Sequence, residues 1–336
     1  MIHIDDATVL RLLDLPSVTT RLDEAYAAWG HATAATTQRV RATSSVGMAS
    51  AMAAVVPPYS GGKVYATVDG RFTFVIVLFD LDGTALATLD GDTVTRLRTP
   101  ATSALAIRRL AHPDASVAAL IGGGRQAWGH VEMLRAELPA LTELRVHTRR
   151  PEVGDSLVER AKALGVPAVT TATAAAAVEG ADVVVTVTSS PDPLFPATAL
   201  SDRALVCAVG ATKYDRCEIG PDVVERCVAV VADDVTGSRT ECGDLLAAAA
   251  AGRFDWDRAV ELHALVAGHA TVPRAGTGPA PGPVLFETQG VALQDIAAAG
   301  LAWERHLAGL AEPGVVTGSG TGTEPAIRPD TDKEQP

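Results

Sequence analysis

Hydrophobic and polar positions follow two different rhythms along this chain, and the change comes after about residue 92. Ile2-His3-Ile4 is a short alternation, and Asp5-Asp6 is placed to cap a helix carrying Val9, Leu10, Leu12 and Leu13. A second helix is predicted over residues 19–35, with Leu22, Ala25, Tyr26 and Trp29. Residues 39–56 are rich in β-branched and small side chains and predict extended structure, which Pro57-Pro58 and Gly61-Gly62 break. Residues 63–68 alternate cleanly, residues 72–79 form a more continuous apolar run, and residues 85–89 another strand, with turns at residues 80–84 and at Asp90-Gly91. The first region therefore predicts a mostly antiparallel sheet with two helices.

A helical period over residues 92–110 then leads into a different pattern. Strands are predicted at 117–121, 143–148, 168–169, 182–188, 204–209 and 228–232, with helices at 125–137, 155–164 and 173–178 between them. Such alternation predicts a parallel, doubly wound α/β sheet. Helices are expected at 241–250 and 257–265, a Gly- and Pro-rich loop at 268–283, and a closing amphipathic helix at 290–310. From Pro313 onward the composition is that of a disordered tail.

Composition narrows the choices. The 336 residues are 47% hydrophobic with a net charge of −12, which disfavours a nucleic-acid or anionic-membrane surface. No apolar run reaches the roughly 18 residues of a membrane span, and MIHIDDATVL carries acids where a signal peptide needs bases. A cytoplasmic protein is expected. Cys207, Cys217, Cys227 and Cys242 lack C-x-x-C spacing, so reduced thiols and no metal site are expected.

The chemistry begins at VAALIGGGRQA, residues 117–127. Gly122-x-Gly124-x-x-Ala127 between a predicted strand and helix is a dinucleotide-binding fingerprint. Gly122 permits the turn, Gly124 lets backbone approach a pyrophosphate, and Ala127 lets the helix pack close to the strand. Gly123, Arg125 and Gln126 complete the loop, whose helix N-terminus offers N–H groups to phosphate. NAD-selective sites place an acid at the end of the second strand, but here His147 is followed by Thr148, Arg149 and Arg150. Two arginines and a threonine suit a 2′-phosphate, so NADP(H) is expected over NAD(H).

Several stretches together resemble the ornithine cyclodeaminase/mu-crystallin family. They are RTPATSA at 98–104, IGGGRQA at 121–127, DVVVTVTSS at 182–190, Val209-Gly210-Ala211, and LFETQGVALQD at 285–295, with Thr288 where serine is usual. The resemblance runs in order from about Arg39 to Ala308. It implies a Rossmann domain (113–284) inserted in an α+β substrate-binding and dimerisation domain (1–112 plus 285–312), a homodimer, and an active site between the two.

The resemblance also assigns a pocket. Arg39, Lys63 and Arg98 match residues that hold a substrate α-carboxylate, and Lys63 is the candidate proton donor. Thr99, Thr288 and Gly290 are expected beside the substrate. Thr188, Ser189, Val209, Gly210 and Ala211 are expected along the cofactor. Two departures then select the reaction. Thr212 stands where a cyclodeaminase needs an acid, Asp215 lies out of register, and Ser50 stands where a second acid would receive a distal amine. What remains suits NAD(P)H-dependent reduction of an α-imino acid or cyclic ketimine carboxylate. VGATKYDRCEI and Glu241-Cys242-Gly243-Asp244-Leu245 resemble the ketimine-reducing members, with Asp244 at most an orienting carboxylate. An alanine-type amino-acid dehydrogenase, a cyclodeaminase lyase and a non-catalytic NADPH-binding protein are the alternatives.

Overall fold

In the computed structural model, which describes residues 1–311, the strands divide between two sheets. The expected disordered tail at 313–336 lies outside the described residues. The first region supplies β1 (Ile2–Ile4), β2 (Ala35–Thr36), β3 (Val40–Ser44), β4 (Gly47–Val56), β5 (Tyr59–Val68), β6 (Arg71–Asp80) and β7 (Ala85–Asp90). Helices α1 (Asp6–Leu12), α2 (Leu15–Gly30) and α3 (Gly91–Leu110) belong to the same stretch. The strand order is β1-β7-β6-β5-β4-β2, with β3 added to β4. Only the β1–β7 pair is parallel; the remaining pairs are antiparallel.

The second sheet contains β8 (Val117–Ile121), β9 (Glu143–His147), β10 (Ala168–Thr170), β11 (Val183–Thr186), β12 (Leu205–Ala208), β13 (Ala229–Ala232), β14 (Ala259–Glu261) and β15 (Val284–Glu287). Between them run α4 (Ala127–Glu137), α5 (Pro151–Ala163), α6 (Ala174–Val178), α7 (Pro221–Arg226), α8 (Val235–Glu241), α9 (Gly243–Ala250) and α10 (Leu262–Val266). All eight strands are parallel, in the order β10-β9-β8-β11-β12-β15-β13-β14. Central strands covered on both faces must be apolar throughout, and VVVT, LVCA and AVVA are completely buried runs. After β8 the chain goes to β9 on one side and later to β11 on the other. A crevice therefore opens between the C-terminal ends of β8 and β11, where doubly wound sheets bind ligands. The closing helix α11 (Ala292–Ala311) returns to pack on β4, β5 and α3 of the first sheet.

The structure corrects several expected elements. Helix α2 starts at Leu15 rather than 19, because Asp14 accepts the Ser17 N–H at 2.9 Å and Pro16 sits in the first turn. It stops at Gly30, where a Cβ would overlap Ala267, directly after α10. Residues 39–56 form a hairpin rather than one run, since Ser44 pairs with Gly47 across a tight turn. Gly61-Gly62 do not break the chain but lie inside β5. A Cβ on Gly61 would overlap the Val77 carbonyl oxygen and stand 2.9 Å from Ile296 of α11, so glycine here permits helix-on-sheet contact. The helix expected at 241–250 starts at Gly243 as α9, separated at Cys242 from the unexpected α8, and 257–265 contains the edge strand β14 before α10. The boundary expected at 284/285 falls inside β15. That strand is fully buried between β12 and β13, so the chain leaves the second sheet only after Glu287.

Candidate active site

The glycine loop leaves the end of β8 beside the end of β11. Gly122 has φ +116°, and a Cβ there would stand 2.7 Å from the Val187 carbonyl oxygen, so this turn requires glycine. A Cβ on Gly123 would stand 2.5 Å from Val153. A Cβ on Gly124 would meet no protein atom within 4 Å. Gly124 therefore borders open space and lets a ligand approach the backbone. Ala127 is buried and closes the first turn of α4 on the Gly124 carbonyl. The loop borders a cleft of about 680 Å³ lined also by Thr148, Arg149, Arg150, Thr188, Ser189, Ser190 and Arg216. An extended phosphate-bearing ligand fits these donors, and none of the described residues lining the cleft is a carboxylate.

Not every expected cofactor residue lines it. Arg125 pairs with Asp92 at 2.5 Å, and Gln126 occupies the N-cap position of α4 without a side-chain cap bond. Val209, Gly210 and Ala211 follow the end of β12 outside the cleft lining. Two buried acids fix that segment. Glu218 accepts from Gly210 N (2.7 Å), Thr186 Oγ1 (2.8 Å) and Thr188 N (2.5 Å), so it ties β11 to β12. Asp244 accepts in turn from the N–H groups of Glu218 and Ile219. Asp244 thus holds the loop rather than facing the pocket. Arg216 is a residue that the loop VGATKYDRCEI could have offered as a phosphate partner; it bonds the Ser189 carbonyl at 2.8 Å. Asp215 is exposed and lies 3.9 Å from Arg216.

Farther along the same sheet edge, past β12 and at the ends of β15 and β13, the basic residues gather. Lys63 of β5 is 1% exposed, donates to Thr95 Oγ1 (2.6 Å) and Asp295 Oδ1 (2.8 Å), and lies 4.5 Å from the centre of the Phe74 ring. Arg98 of α3 donates to Gln294 Oε1 at 2.8 Å, with its Nε 3.4 Å from Asp295. Arg39 donates to Glu241 (2.6 Å) and to the carbonyls of Gln289 (2.9 Å) and Gly290 (2.7 Å). Arg41 also bonds Glu241 and reaches the Thr212 carbonyl at 3.3 Å. Gly290 has φ +78°, and a Cβ there would stand 2.7 Å from the Arg98 guanidinium, so glycine makes room for the cation. Thr288 donates to Asp233 at 2.6 Å, and Thr99 is buried within α3. Ser50 is buried with no partner for its hydroxyl.

Charge and burial set the protonation states. Burial lowers the Lys63 ammonium to about 8; Asp295 opposes this, while Arg98 and Arg39 add to it. Burial disfavours the Asp295 carboxylate, but Lys63 and Arg98 outweigh it and hold it below the ordinary value. Burial raises Asp233 despite its bonds from Thr288 and Gly290. The Nε of Arg39 and Oδ2 of Asp295 are buried without partners, so the cluster retains hydrogen-bonding capacity for a further polar group. Sequence reasoning missed Asp295, Asp233 and Glu241 as partners, although Asp295 closes the LFETQGVALQD stretch.

The chain matches the ornithine cyclodeaminase/mu-crystallin family over residues 7–309. It is 37% identical over 214 residues to Delta(1)-pyrroline-2-carboxylate reductase 2 of Burkholderia ambifaria, covering 62% of each chain. It is 35% identical over 248 residues to a Delta(1)-pyrroline-2-carboxylate/Delta(1)-piperideine-2-carboxylate reductase of Azospirillum brasilense, covering 72% of each. Among solved structures, a probable ornithine cyclodeaminase from Bordetella pertussis Tohama I superposes with a TM-score of 0.85 at 37% identity. That match covers 93% of this chain and 99% of the other.

Proposed function

This chain belongs to the ornithine cyclodeaminase/mu-crystallin family, and on that premise we propose that it reduces the C=N bond of an α-imino acid or cyclic ketimine carboxylate. The product is the L-amino or cyclic imino acid. The observation that carries this reading is the buried Lys63–Asp295–Arg98 cluster, combined with Thr212 and Ser50 at the two places where ammonia-expelling chemistry wants an acid. Two named reductases among the relatives support it.

A nicotinamide dinucleotide in the glycine-loop cleft supplies the hydride when bound. Everything else falls to the chain's own groups. Arg98, Lys63 and Arg39 bind the substrate carboxylate and fix the plane of the imine. Asp295 keeps Lys63 cationic against its burial and orients Nζ. Lys63 then gives its proton to the imine nitrogen, or holds it there. The carbon of the N-protonated imine is the better hydride acceptor. Hydride and proton add across C=N and the carbon–nitrogen bond stays intact, so no ammonia leaves and no acid is needed to expel it.

Arg149, Arg150 and Arg216 line the cleft, and guanidinium groups that can bind a 2′-phosphate support NADP(H) over NAD(H). The outer face of the first sheet supports a homodimer. Ala51, Ala53, Val55, Val64, Ala66, Thr73 and Val75 share that face, which is small and apolar across β4, β5 and β6. No described helix is long and apolar enough to cross a membrane, and all four cysteines are unpaired, in keeping with a reducing cytoplasm. Lys63→Met tests the assignment. We expect kcat/KM for the imine to fall at least about 100-fold while dinucleotide affinity stays within about twofold. Retained reduction by the variant removes Lys63 from the chemistry.

A further inference from the structure

Below the glycine loop, α4 carries a histidine that the proposed chemistry does not use. His130 is completely buried. Its Nδ1 lies 2.8 Å from the Gln126 carbonyl oxygen and its Nε2 3.1 Å from Ser103 Oγ. A carbonyl oxygen only accepts, so Nδ1 carries the proton. Nε2 is then an acceptor, and the Ser103 hydroxyl donates to it. One neutral tautomer satisfies every member, and burial keeps the ring neutral by lowering its pKa to about 4.

The two ends of this chain of bonds matter more than its middle. Gln126 is the N-cap of α4, directly after the glycine loop. Ser103 lies on α3, five residues after Arg98, and Thr102 between them donates back to the Arg98 carbonyl at 2.9 Å. The same contact holds a second device. A Cβ on Gly129 would stand 3.0 Å from Pro100 Cγ and 3.1 Å from the Arg96 carbonyl oxygen. Pro100 has no N–H to give that carbonyl, so α4 crosses α3 where the helix ladder is open. Close packing prevents the helices from separating, and the imidazole, bonded at both nitrogens, fixes their register.

We propose that Ser103 and His130 are positioning residues that couple the dinucleotide loop to the Arg98 carboxylate site, so that filling one site tightens the other. The proposal rests on the two-ligand site of the reductase reading. A leucine of similar size would fill the space but could not hold the Gln126 carbonyl against Ser103.

Calorimetric titration of the full chain with pyrrole-2-carboxylate, a planar carboxylate that cannot be reduced, with and without saturating NADPH, tests it. In the unaltered protein NADPH should tighten the carboxylate by about fivefold or more, the lower end of ordinary coupling between sites. Ser103→Ala, a small change in a buried helix, should bring that ratio below about twofold, and so should His130→Asn, which keeps a donor near Gln126 but does not reach Ser103. The affinity for NADPH alone should stay within about threefold. A ratio unchanged in Ser103→Ala, or near one in the unaltered protein, overturns the coupling. Failure of the unaltered protein to bind either ligand overturns the reductase reading itself, and the coupling with it.

Discussion

Lys63 shows how one residue's surroundings set a reaction. An ammonium this deeply buried loses hydration, and Asp295 replaces only part of it, which leaves the pKa at about 8. Reduction needs the protonated form. The shift is downward, so the proton is present below about pH 8 and lost as pH rises through that value. We expect kcat/KM for imine reduction to be level near neutrality and to fall about tenfold per pH unit above about 8. A profile that stays level to about pH 10 would contradict Lys63 as the proton source. Arg98 depends equally on a neighbour without a side chain, because Gly290 leaves the volume that its guanidinium fills.

Single elements carry costs of their own. Asp244, at the start of α9, holds the Glu218–Ile219 backbone through Oδ1, while its Oδ2 is buried without a partner. Burial raises its pKa to about 7. The folded value exceeds the unfolded one, so its stabilising contribution is complete at acid pH and is lost as pH rises from about 4 through about 7. Asp244→Asn keeps the accepting oxygen and cannot ionise. It should gain stability relative to the unaltered chain by about 1–3 kcal/mol between about pH 5 and pH 8, read by chemical unfolding. A difference that does not change with pH would show that Asp244 keeps its charge in the fold. The strand at 117–121 is legible in the sequence as a short apolar run beside turn residues, that at 143–147 by the alternation of Leu144 and Val146 with polar residues, and the glycine loop follows from its spacing. The three-residue strand β14 is too short to show a period, and the lone Gly243 directly after the break at Cys242 is a glycine that a helix interior also tolerates. The Lys63–Asp295 pair spans 232 positions, a separation over which no local pattern speaks.

At the scale of the whole molecule, the proposed dinucleotide cleft and the basic cluster lie along the C-terminal edge of the second sheet. The dinucleotide cleft lies at the ends of β8 and β11, and the basic cluster lies where β13 and β15 meet α3, β5 and α11. The outer face of the first sheet is the molecule's other conspicuous surface. Val64→Lys, at the centre of that face and already exposed, should shift a dimer to monomer in sedimentation with little loss of fold. A variant that sediments like the unaltered chain would place the interface elsewhere. The order of the basic trio and the glycine loop is legible in the sequence, but their enclosure by Glu241, Asp233 and Asp295 is not, because these acids come from distant helices and loops. Reduction and deamination are separated by one measurement. NADPH and NADH absorbance should be followed with pyrroline-2-carboxylate, and ammonia release measured in parallel with ornithine. NADPH should be consumed, faster than NADH, in step with the ketimine, and ornithine should yield no ammonia. Ammonia from ornithine with no net change in nucleotide absorbance, and no reduction of the ketimine, would contradict imine reduction by this chain.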